Sequence, residues 1–452
     1  MTDLLKTLES IVGRTHVRGG GDAAGYAVDG LAPSAAVFPG TVEEVSAVLG
    51  ACGRAGAAVV PWGGGTSMGL GGVPARLDVV LGLARLNQVL DHEPADMTST
   101  AQAGMALGDY QAALGRHRQF LALDPPWAAR ATIGGILAAN ASGPRRIRYG
   151  TARDLLIGVR VVHADGTVTK GGAKVVKNVT GYDMNKLYIG SLGTLGVIVE
   201  ATFRLYPLPV AERTWVVPFA TAARAREAIA RILDSPLVPS AVELLNEAAG
   251  AEVGRRSGVG AGPGAAVLAV AVASVPEAVE AQLETVRGMC RECGGGEGQA
   301  LDGEAHGRFW SAVTDFDPEA WGGGGGTVMV LKAGVLLARV ADAVWQGESI
   351  AARQGLRVAV VSEGGTGVVR YYLRAEGDGG GGPARLAEAV GFLRAFAADA
   401  AGSLVVLQAP PEVKAGVDVW GSVGDAFPLM RGLKEQFDPG RILNPGRFVG
   451  GL

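Results

Sequence analysis

The first stretch of this sequence that could do chemistry is a run of glycines and hydroxyl residues. It comprises Pro61, Trp62, Gly63, Gly64, Gly65, Thr66, Ser67 and Met68. Consecutive glycines can take positive φ angles and let several backbone N–H groups point into one concavity, which suits a pyrophosphate. The run departs from the dinucleotide fingerprint GxGxxG, because Met68 stands where the third glycine belongs, and no P-loop lysine follows. Taken alone, the run is also consistent with a flexible loop.

A second stretch combines small residues with arginines. The small residues, which let a flat ring system approach the backbone, are Gly134, Gly135, Ala141, Ser142 and Gly143. The arginines, which concentrate positive charge beside them in the sequence, are Arg145, Arg146, Arg148 and Arg153. A ligand that has both a ring and phosphates fits this combination. The alternative is that the glycines form tight turns and the arginines are solvated.

A third stretch, residues 175–198, passes from a turn through a short helix into a strand and leaves backbone available at Gly193 and Gly196. Lys174 and Lys177 beside its start are candidate anion contacts. A Cys-x-x-Cys at Cys290 and Cys293 closes a helical stretch, which favours a chance pair over a redox centre. Three cysteines in all cannot supply the four thiolates of an iron–sulfur cluster.

Composition narrows the class of protein. The 452 residues correspond to roughly three domains. The net charge of −3 lacks the basic footprint of a nucleic-acid binder, and 48% hydrophobic residues exclude a disordered chain. Few cysteines, no secretory signal and apolar stretches shorter than the ~20 residues of a membrane span predict a cytoplasmic protein without a transmembrane segment. Its partners should be small molecules or proteins.

The elements that must position these residues follow two patterns of predicted secondary structure. Up to about residue 210 the chain predicts short strands between glycine turns, preceded by two helices, of which the second starts with a capping box at residues 41–44. From residue 214 a strand, helix, strand, strand, helix order occurs and then returns. Two split βαβ halves would form one antiparallel sheet with helices on one face.

In this order the three stretches resemble the FAD-binding domain of vanillyl-alcohol-oxidase and PCMH-type flavoproteins. The segments PWGGGTSMG, LDPPWAARATIGGILAANASGPRRIRYGTARD and KNVTGYDMNKLYIGSLGTLGVI are similar to the GlcE-type FAD-binding subunit of bacterial glycolate oxidase. The resemblance covers about residues 25–210 and resumes in FDPGRILNPGRFVGGL. It implies an α+β fold, with a PCMH-type two-part FAD-binding domain and a ferredoxin-like α+β cap domain.

The resemblance also implies a domain division and a set of FAD contacts. The domains would be an N-terminal helix and linker (1–30), the FAD-binding domain (31–210), the cap (211–415) and a segment that returns to the FAD-binding domain (416–452). Besides residues 61–68 at the pyrophosphate, the implied contacts are Thr132, Ile133, Gly134, Gly135, Ser142 and Gly143 at the flavin and ribityl chain, Gly196, Val197 and Ile198 near the adenine, and Asn444 near the ring. Some members attach FAD covalently through a histidine in or near the pyrophosphate loop. This loop has none, so we predict non-covalent FAD.

Catalytic relatives carry a histidine-rich, metal-binding motif on a strand of the cap. The corresponding stretch here, residues 361–370, contains no histidine, and none of the five histidines lies at metal-ligand spacing from another, so we predict no metal site. If a 2-hydroxy acid binds, Glu363 is the candidate base, and Arg370 or Arg148 is the candidate clamp for its carboxylate. The alternative is that Glu363 and Arg370 are ordinary charges of the cap sheet.

Three functions follow. The first, implied by the resemblance, is an FAD-dependent subunit of a glycolate oxidase-type complex that oxidises a 2-hydroxy acid such as glycolate to glyoxylate. Its partners would be a larger flavin subunit and an iron–sulfur subunit that passes electrons toward a membrane quinone, so any membrane association of this chain is indirect. The second is a self-sufficient FAD-linked dehydrogenase of D-lactate or another 2-hydroxy acid. The third is an FAD-binding assembly subunit without turnover.

Overall fold

A computed structural model describes residues 2–173, 182–260, 262, 264–323, 325–377 and 381–452. The chain forms two compact units. Unit 1 contains Met1–Ser142, Gly150–Leu208 and Ser422–Leu452, and unit 2 contains Gly143–Tyr149 and Pro209–Gly421. Compared with the domains expected from sequence, residues 1–30 form part of unit 1, the last crossing comes after residue 421 rather than 415, and residues 143–149 belong to unit 2.

The helices are α1 (Thr2–Val12), α2 (Val42–Ala55), α3 (Leu107–Gly115), α4 (Ile133–Ala139), α5 (Arg146–Tyr149), α6 (Ala152–Leu155), α7 (Asn185–Tyr188), α8 (Ala222–Leu233), α9 (Glu247–Ser257), α10 (Pro276–Glu292), α11 (Gly303–Thr314), α12 (Val340–Arg353), α13 (Gly382–Asp399), α14 (Pro411–Lys414) and α15 (Phe427–Phe437). The strands are β1 (Val17–Gly19), β2 (Ala35–Val37), β3 (Val59–Trp62), β4 (Val79–Gly82), β5 (Val89–Glu93), β6 (Thr98–Gln102), β7 (Gln119–Phe120), β8 (Leu156–Val162), β9 (Val168–Gly172), β10 (Val197–Arg204), β11 (Tyr206–Pro207), β12 (Ala211–Phe219), β13 (Pro239–Asn246), β14 (Ala266–Ser274), β15 (Gln299–Leu301), β16 (Thr327–Gly334), β17 (Arg357–Glu363), β18 (Val368–Ala375) and β19 (Ser403–Gln408). Among the described residues, no helix combines the length and apolar character that a bilayer span requires.

Unit 1 contains two main sheets. One has the order β1-β2-β4-β3, in which β2, β4 and β3 run parallel, and the other is antiparallel with the order β5-β6-β10-β8-β9. The expected cap of α2 is present, because Thr41 Oγ1 accepts from the backbone N–H of Glu44 at 3.1 Å. The Glu44 carboxylate accepts from the N–H of Gly40 at 2.7 Å, one residue before the position that a capping box predicts.

Unit 2 is built on one eight-stranded antiparallel sheet, in the order β15-β12-β14-β13-β17-β18-β16-β19. Helices α8, α10, α12 and α13 bury apolar side chains against one face. Helices α9 and α11 bury theirs against the other face. The expectation of helices on one face was therefore wrong. Each helix can bury its apolar side against either face of a sheet whose strands are apolar on both sides, so the repeat pattern does not choose the face.

Candidate functional site

A cleft in unit 1 gathers most of the predicted FAD contacts. It has a volume of about 710 Å³, including its open mouth. Its lining residues come from the glycine run at the end of β3, from α4, from the loop before β10 and the start of that strand, and from the C-terminal tail, which is the segment after α15 (residues 438–452). They are Pro61, Trp62, Gly63, Gly64, Gly65, Thr66, Ser67, Met68, Leu83, Gly134, Gly135, Ala138, Ala139, Leu192, Gly193, Gly196, Val197, Ile198, Asn444 and Arg447.

Several glycines of the cleft leave no room for a side chain, and Gly64 and Gly193 show what this does for its walls. A Cβ at Gly64 would lie 1.8 Å from the carbonyl oxygen of Arg130, so the glycine run rests directly on the backbone before α4. Gly193 has a φ of +72° and a Cβ there would meet the ring of Pro61 at 3.0 Å. This contact joins the loop before β10 to the end of β3, so both positions need glycine for the cleft to keep its walls.

Four of the predicted contacts do not line the cleft. Thr132 caps α4, where its hydroxyl accepts from the N–H of Gly135 at 3.4 Å, and Ile133 is buried in the core. Ser142 and Gly143 lie where the chain passes from unit 1 to unit 2. Sequence reasoning in turn missed five residues beside the predicted ones, namely Leu83, Ala138, Ala139, Leu192 and Arg447. Lys174 and Lys177 lie outside the described residues.

Arg447 brings a buried positive charge to this cleft. Its guanidinium donates to the carbonyl oxygens of Met68 and Leu70 at 2.5 Å each, and only 3% of the residue is exposed. Burial lowers the pKa of Arg447 to about 10, while Asp29 acts in the opposite direction. An anion in the cleft would stabilise the charged form. The NPGR sequence around it was the available signal, because arginine is a preferred phosphate-binding residue.

The cleft suits an elongated nucleotide such as FAD. Its walls are mostly glycine and small apolar residues, which admit a flat ring. The glycine run can supply backbone donors for phosphates, and Arg447 adds a positive charge beside it. The residues present therefore fit FAD, and the position of its pyrophosphate at the glycine run stays a prediction. No histidine is among the lining residues, so the cleft offers no histidine for covalent attachment.

In unit 2 a polar cluster contains the predicted catalytic pair. Glu363 is 1% exposed and forms an ion pair with Arg370, whose Nη2 lies 2.9 Å from Oε1. Thr366 Oγ1 donates to Glu363 Oε2 at 2.6 Å, and Arg146 Nε lies 3.8 Å from the same oxygen. Glu243, fully buried, stands opposite Glu363 on the neighbouring strand β13. Glu363 and Arg370 thus neutralise each other, as either a structural or a functional pair could.

Lys332 joins this cluster, and sequence reasoning missed it. It lies opposite Arg370 across strands β16 and β18. Burial lowers the pKa of Lys332 to about 8; Arg370 and Arg146 add to this effect and Glu363 opposes it. Among the described residues, the cluster brings together three cations, Arg146, Lys332 and Arg370, and two carboxylates, Glu243 and Glu363. No local motif marks Lys332, because it lies on β16 and Arg370 lies on β18, far along the sequence. Only the register of these two strands brings the two residues opposite each other.

Arg145, Arg146 and Arg148 each contact a residue of the unit 2 sheet. Arg145 Nη2 pairs with Glu212 at 3.1 and 3.2 Å, and Arg148 donates to the carbonyl oxygen of Ala273 at 2.6 Å. With Arg146 on Glu363, three arginines attach α5 to the unit 2 sheet. The expected use of Arg148 as a carboxylate clamp stays a prediction, since its guanidinium is engaged by backbone.

Two family models match the chain. One, described as an FAD binding domain, matches residues 33–172, and the other, described as the C-terminal domain of FAD linked oxidases, matches residues 208–405 and 422–448. With the fold and the cleft, these matches define an FAD-binding oxidoreductase with a PCMH-type fold. The chain belongs to the FAD-linked oxidases.

Curated relatives extend the match along the chain. Glycolate oxidase subunit GlcD of Bacillus subtilis is 27% identical over 425 residues, which are 92% of this chain and 89% of that protein. GlcD of Escherichia coli K12 is 26% identical, over 94% of this chain and 86% of that protein. D-2-hydroxyglutarate dehydrogenase of Xanthomonas citri is 45% identical over 39% of this chain and 38% of its own length. The resemblance to glycolate oxidase is confirmed, and assignment to the GlcE-type subunit stays a prediction.

Solved structures support the fold. p-Cresol methylhydroxylase has a TM-score of 0.76 with this chain at 19% identity, over 99% of this chain and 96% of that one. Alkyldihydroxyacetonephosphate synthase also has a TM-score of 0.76, at 18% identity over 99% and 86% of the two chains. At these identities the likeness concerns fold alone, and it confirms the expected fold.

Proposed function

We propose that this chain is an FAD-dependent dehydrogenase of a small 2-hydroxy acid, with FAD in the unit 1 cleft. The observation that carries the substrate class is the charge balance of the unit 2 cluster, in which Arg146, Lys332 and Arg370 face Glu363 and Glu243. A substrate carboxylate would find three cationic side chains grouped in this cluster, and arginine binds carboxylates through paired hydrogen bonds. The names of relatives that act on glycolate, D-lactate and D-2-hydroxyglutarate support the same class.

The proposed chemistry assigns one role to each side chain. FAD, when bound, would accept the hydride, the C2 hydrogen with its two electrons, that leaves the acid. Lys332 and Arg370 bind the substrate carboxylate. Because that carboxylate competes with Glu363 for Arg370, binding frees Glu363 Oε1, which then accepts the proton of the C2 hydroxyl. Arg146 keeps a positive charge beside Glu363 and holds it in place.

FAD is proposed to bind without a covalent bond. The cleft is lined by glycine, hydroxyl and apolar residues together with Asn444 and Arg447, and the side chain next to the glycine run, Met68, cannot form the attachment that histidine does. We expect acid or SDS denaturation of the yellow protein to release all the flavin into solution. Flavin that stays with the polypeptide would contradict the proposal.

We propose that the electrons taken from the substrate pass on to partner subunits. The B. subtilis and E. coli relatives are named as subunits of glycolate oxidase, which supports a complex. The specific partners proposed are a larger flavin subunit and an iron–sulfur subunit. A second function, that of an FAD-binding assembly subunit, is favoured by one observation, the absence of histidine from residues 361–370.

The deciding experiment is an anaerobic absorbance spectrum of the isolated, FAD-loaded chain. We expect glycolate, D-lactate or D-2-hydroxyglutarate to bleach the flavin band, and the acid that does so most rapidly identifies the substrate. A yellow chain that none of these acids bleaches, but that restores turnover to its partner subunits, would support the assembly role. A chain that takes up no FAD would contradict both functions.

A further inference from the structure

The C-terminal tail of unit 1 is anchored by a buried ion pair outside the cleft. Lys434, on α15, lies 2.7 Å from Asp438, and their side chains are 2% and 0% exposed. Asp438 also accepts from the N–H groups of Ile442 at 3.0 Å and Leu443 at 2.8 Å. The pair therefore sets the course of the tail after the helix, because the same carboxylate holds both the lysine and the backbone of the tail.

The lysine uses each of its three donors. Besides Asp438, Lys434 Nζ donates to the carbonyl oxygens of Leu443 at 2.8 Å and Thr194 at 2.9 Å. Thr194 follows Gly193, which lines the cleft. An ammonium has three donors, so this one is fully satisfied by groups from the helix end, the tail and the loop before β10.

The tail then attaches to the strand that carries the glycine run. The N–H of Val59 donates to the carbonyl oxygen of Ile442 at 2.7 Å, and the N–H of Asn444 donates to Val59 at 2.8 Å, which adds a parallel bridge to β3. Three residues later Arg447 donates to the carbonyl oxygens of Met68 and Leu70 at the far end of that run. Both ends of the glycine run are thereby connected to the tail.

The same tail holds a strained part of the cleft wall. Leu192 has a φ of +52°, a left-handed conformation that is unfavourable for a residue other than glycine. Its carbonyl oxygen accepts from Asn444 Nδ2 at 2.6 Å, while Lys434 holds Thr194 on the other side of Gly193. The strained loop therefore keeps its shape through contacts that originate in the tail.

We propose that Lys434 and Asp438 are positioning residues for FAD: they fix the tail so that Asn444 and Arg447 hold the glycine run and the 192–196 loop in the FAD-binding arrangement. Neither residue lines the cleft, so the effect on FAD passes through the tail. The inference rests on the proposed location of FAD in this cleft. Loss of either partner should weaken FAD binding by at least about tenfold, as loss of a second-layer partner does at metal sites.

The test compares Lys434→Met and Asp438→Asn with the control Glu435→Gln. Glu435 lies on the same helix, and its exposed ion pair with Arg441, at 3.7 Å, is not part of the tail anchor. Two measurements are made on the apo-protein: the Kd for FAD by flavin fluorescence, and amide hydrogen exchange. We expect a raised Kd and faster exchange in residues 68–72 and 192–196 for both variants, with unchanged exchange in β14 of unit 2. The control should match the wild type.

A Kd within twofold of the control for a folded variant would overturn the proposal. If Lys434→Met does not fold, Asp438→Asn decides, because asparagine keeps an acceptor oxygen for the Ile442 amide and removes only the oxygen that Leu443 and Lys434 share. If neither variant folds, the pair maintains unit 1 as a whole and the specific positioning role is wrong. A wild-type chain without FAD uptake would overturn the proposed function instead, and exchange in the two loops would still decide whether the pair positions them.

Discussion

The cleft of unit 1 and the cluster of unit 2 are formed by different chemical groups. The cleft is formed mainly by backbone and small residues, with one buried arginine at its edge, whereas the cluster consists of charged side chains from four strands and α5. A site formed by backbone should lose its ligand when a Cβ is added. A cluster of charged side chains should lose stability or substrate binding when one charge is removed. The comparison therefore predicts different sensitivities, to side-chain volume in unit 1 and to charge and pH in unit 2.

The largest effect on FAD affinity is expected for Gly64→Ala, which tests the site that is formed by backbone. The added Cβ would lie 1.8 Å from the Arg130 carbonyl oxygen, so the glycine run must move away from the segment before α4. We expect FAD affinity to fall by more than about 100-fold, which is roughly 2.7 kcal/mol. Equilibrium titration of the apo-protein measures it. The control is Gly115→Ala, where a Cβ meets open space; equal losses in both variants would break the comparison.

Arg370→Met tests the cluster of charged side chains in unit 2. It leaves Glu363 buried without its nearest cation, which is expected to lower the free energy of unfolding of unit 2 by about 3 kcal/mol. Substrate-dependent flavin bleaching should also be lost, while FAD affinity is unchanged. Thermal unfolding and FAD titration provide the readouts. The matched control is Arg357→Met on β17, because the pair of Arg357 with Glu376, just after the end of β18, is exposed and should contribute less than about 1 kcal/mol. Loss of FAD binding in Arg370→Met would contradict this division of roles.

Lys332→Met adds a pH dependence. If the charged ammonium binds the substrate carboxylate, KM should rise as pH increases through about 8, the lowered pKa of Lys332. The variant should have a KM about tenfold higher below pH 8 and lack this rise. The exposed Lys170, replaced by methionine, serves as control. A KM for the wild type that is flat between pH 7 and 9 would exclude Lys332 from carboxylate binding.

The same pKa predicts a stability trend of known sign. The folded chain releases the Lys332 proton near pH 8, whereas the unfolded chain keeps it until about 10.5. Between these values the unfolded state binds more protons, so stability increases with pH. This contribution is complete above about pH 10.5, is lost as pH falls through about 8, and is absent from Lys332→Met. Chemical denaturation at several pH values measures the difference between the two proteins.

The two sites also differ in how far sequence could predict them. The glycine run was predicted from its own residues, because a backbone cradle needs glycines in consecutive positions, whereas Gly196 to Ile198 were predicted as what the family resemblance implies. Leu192 was missed, since nothing in its residue type indicates a left-handed backbone that the tail holds in place. Lys332 was missed for a different reason, because only the register of β16 on β18 places it opposite Arg370. Sequence predicts local geometry well, and it predicts contacts across a sheet only after the strand order is known.

The smallest effect is expected for Arg148→Gln, which sharpens the boundary of the charge cluster. Arg148 donates to the carbonyl oxygens of Ala273 at 2.6 Å and Val238 at 3.5 Å. Losing these bonds from a largely exposed side chain should cost about 1 kcal/mol of unit 2 stability, measured by thermal unfolding, and leave KM unchanged. A raised KM with unchanged stability would make Arg148 a carboxylate clamp after all. The cluster would then extend along α5, and the proposed charge balance of three cations against two carboxylates would have to be revised.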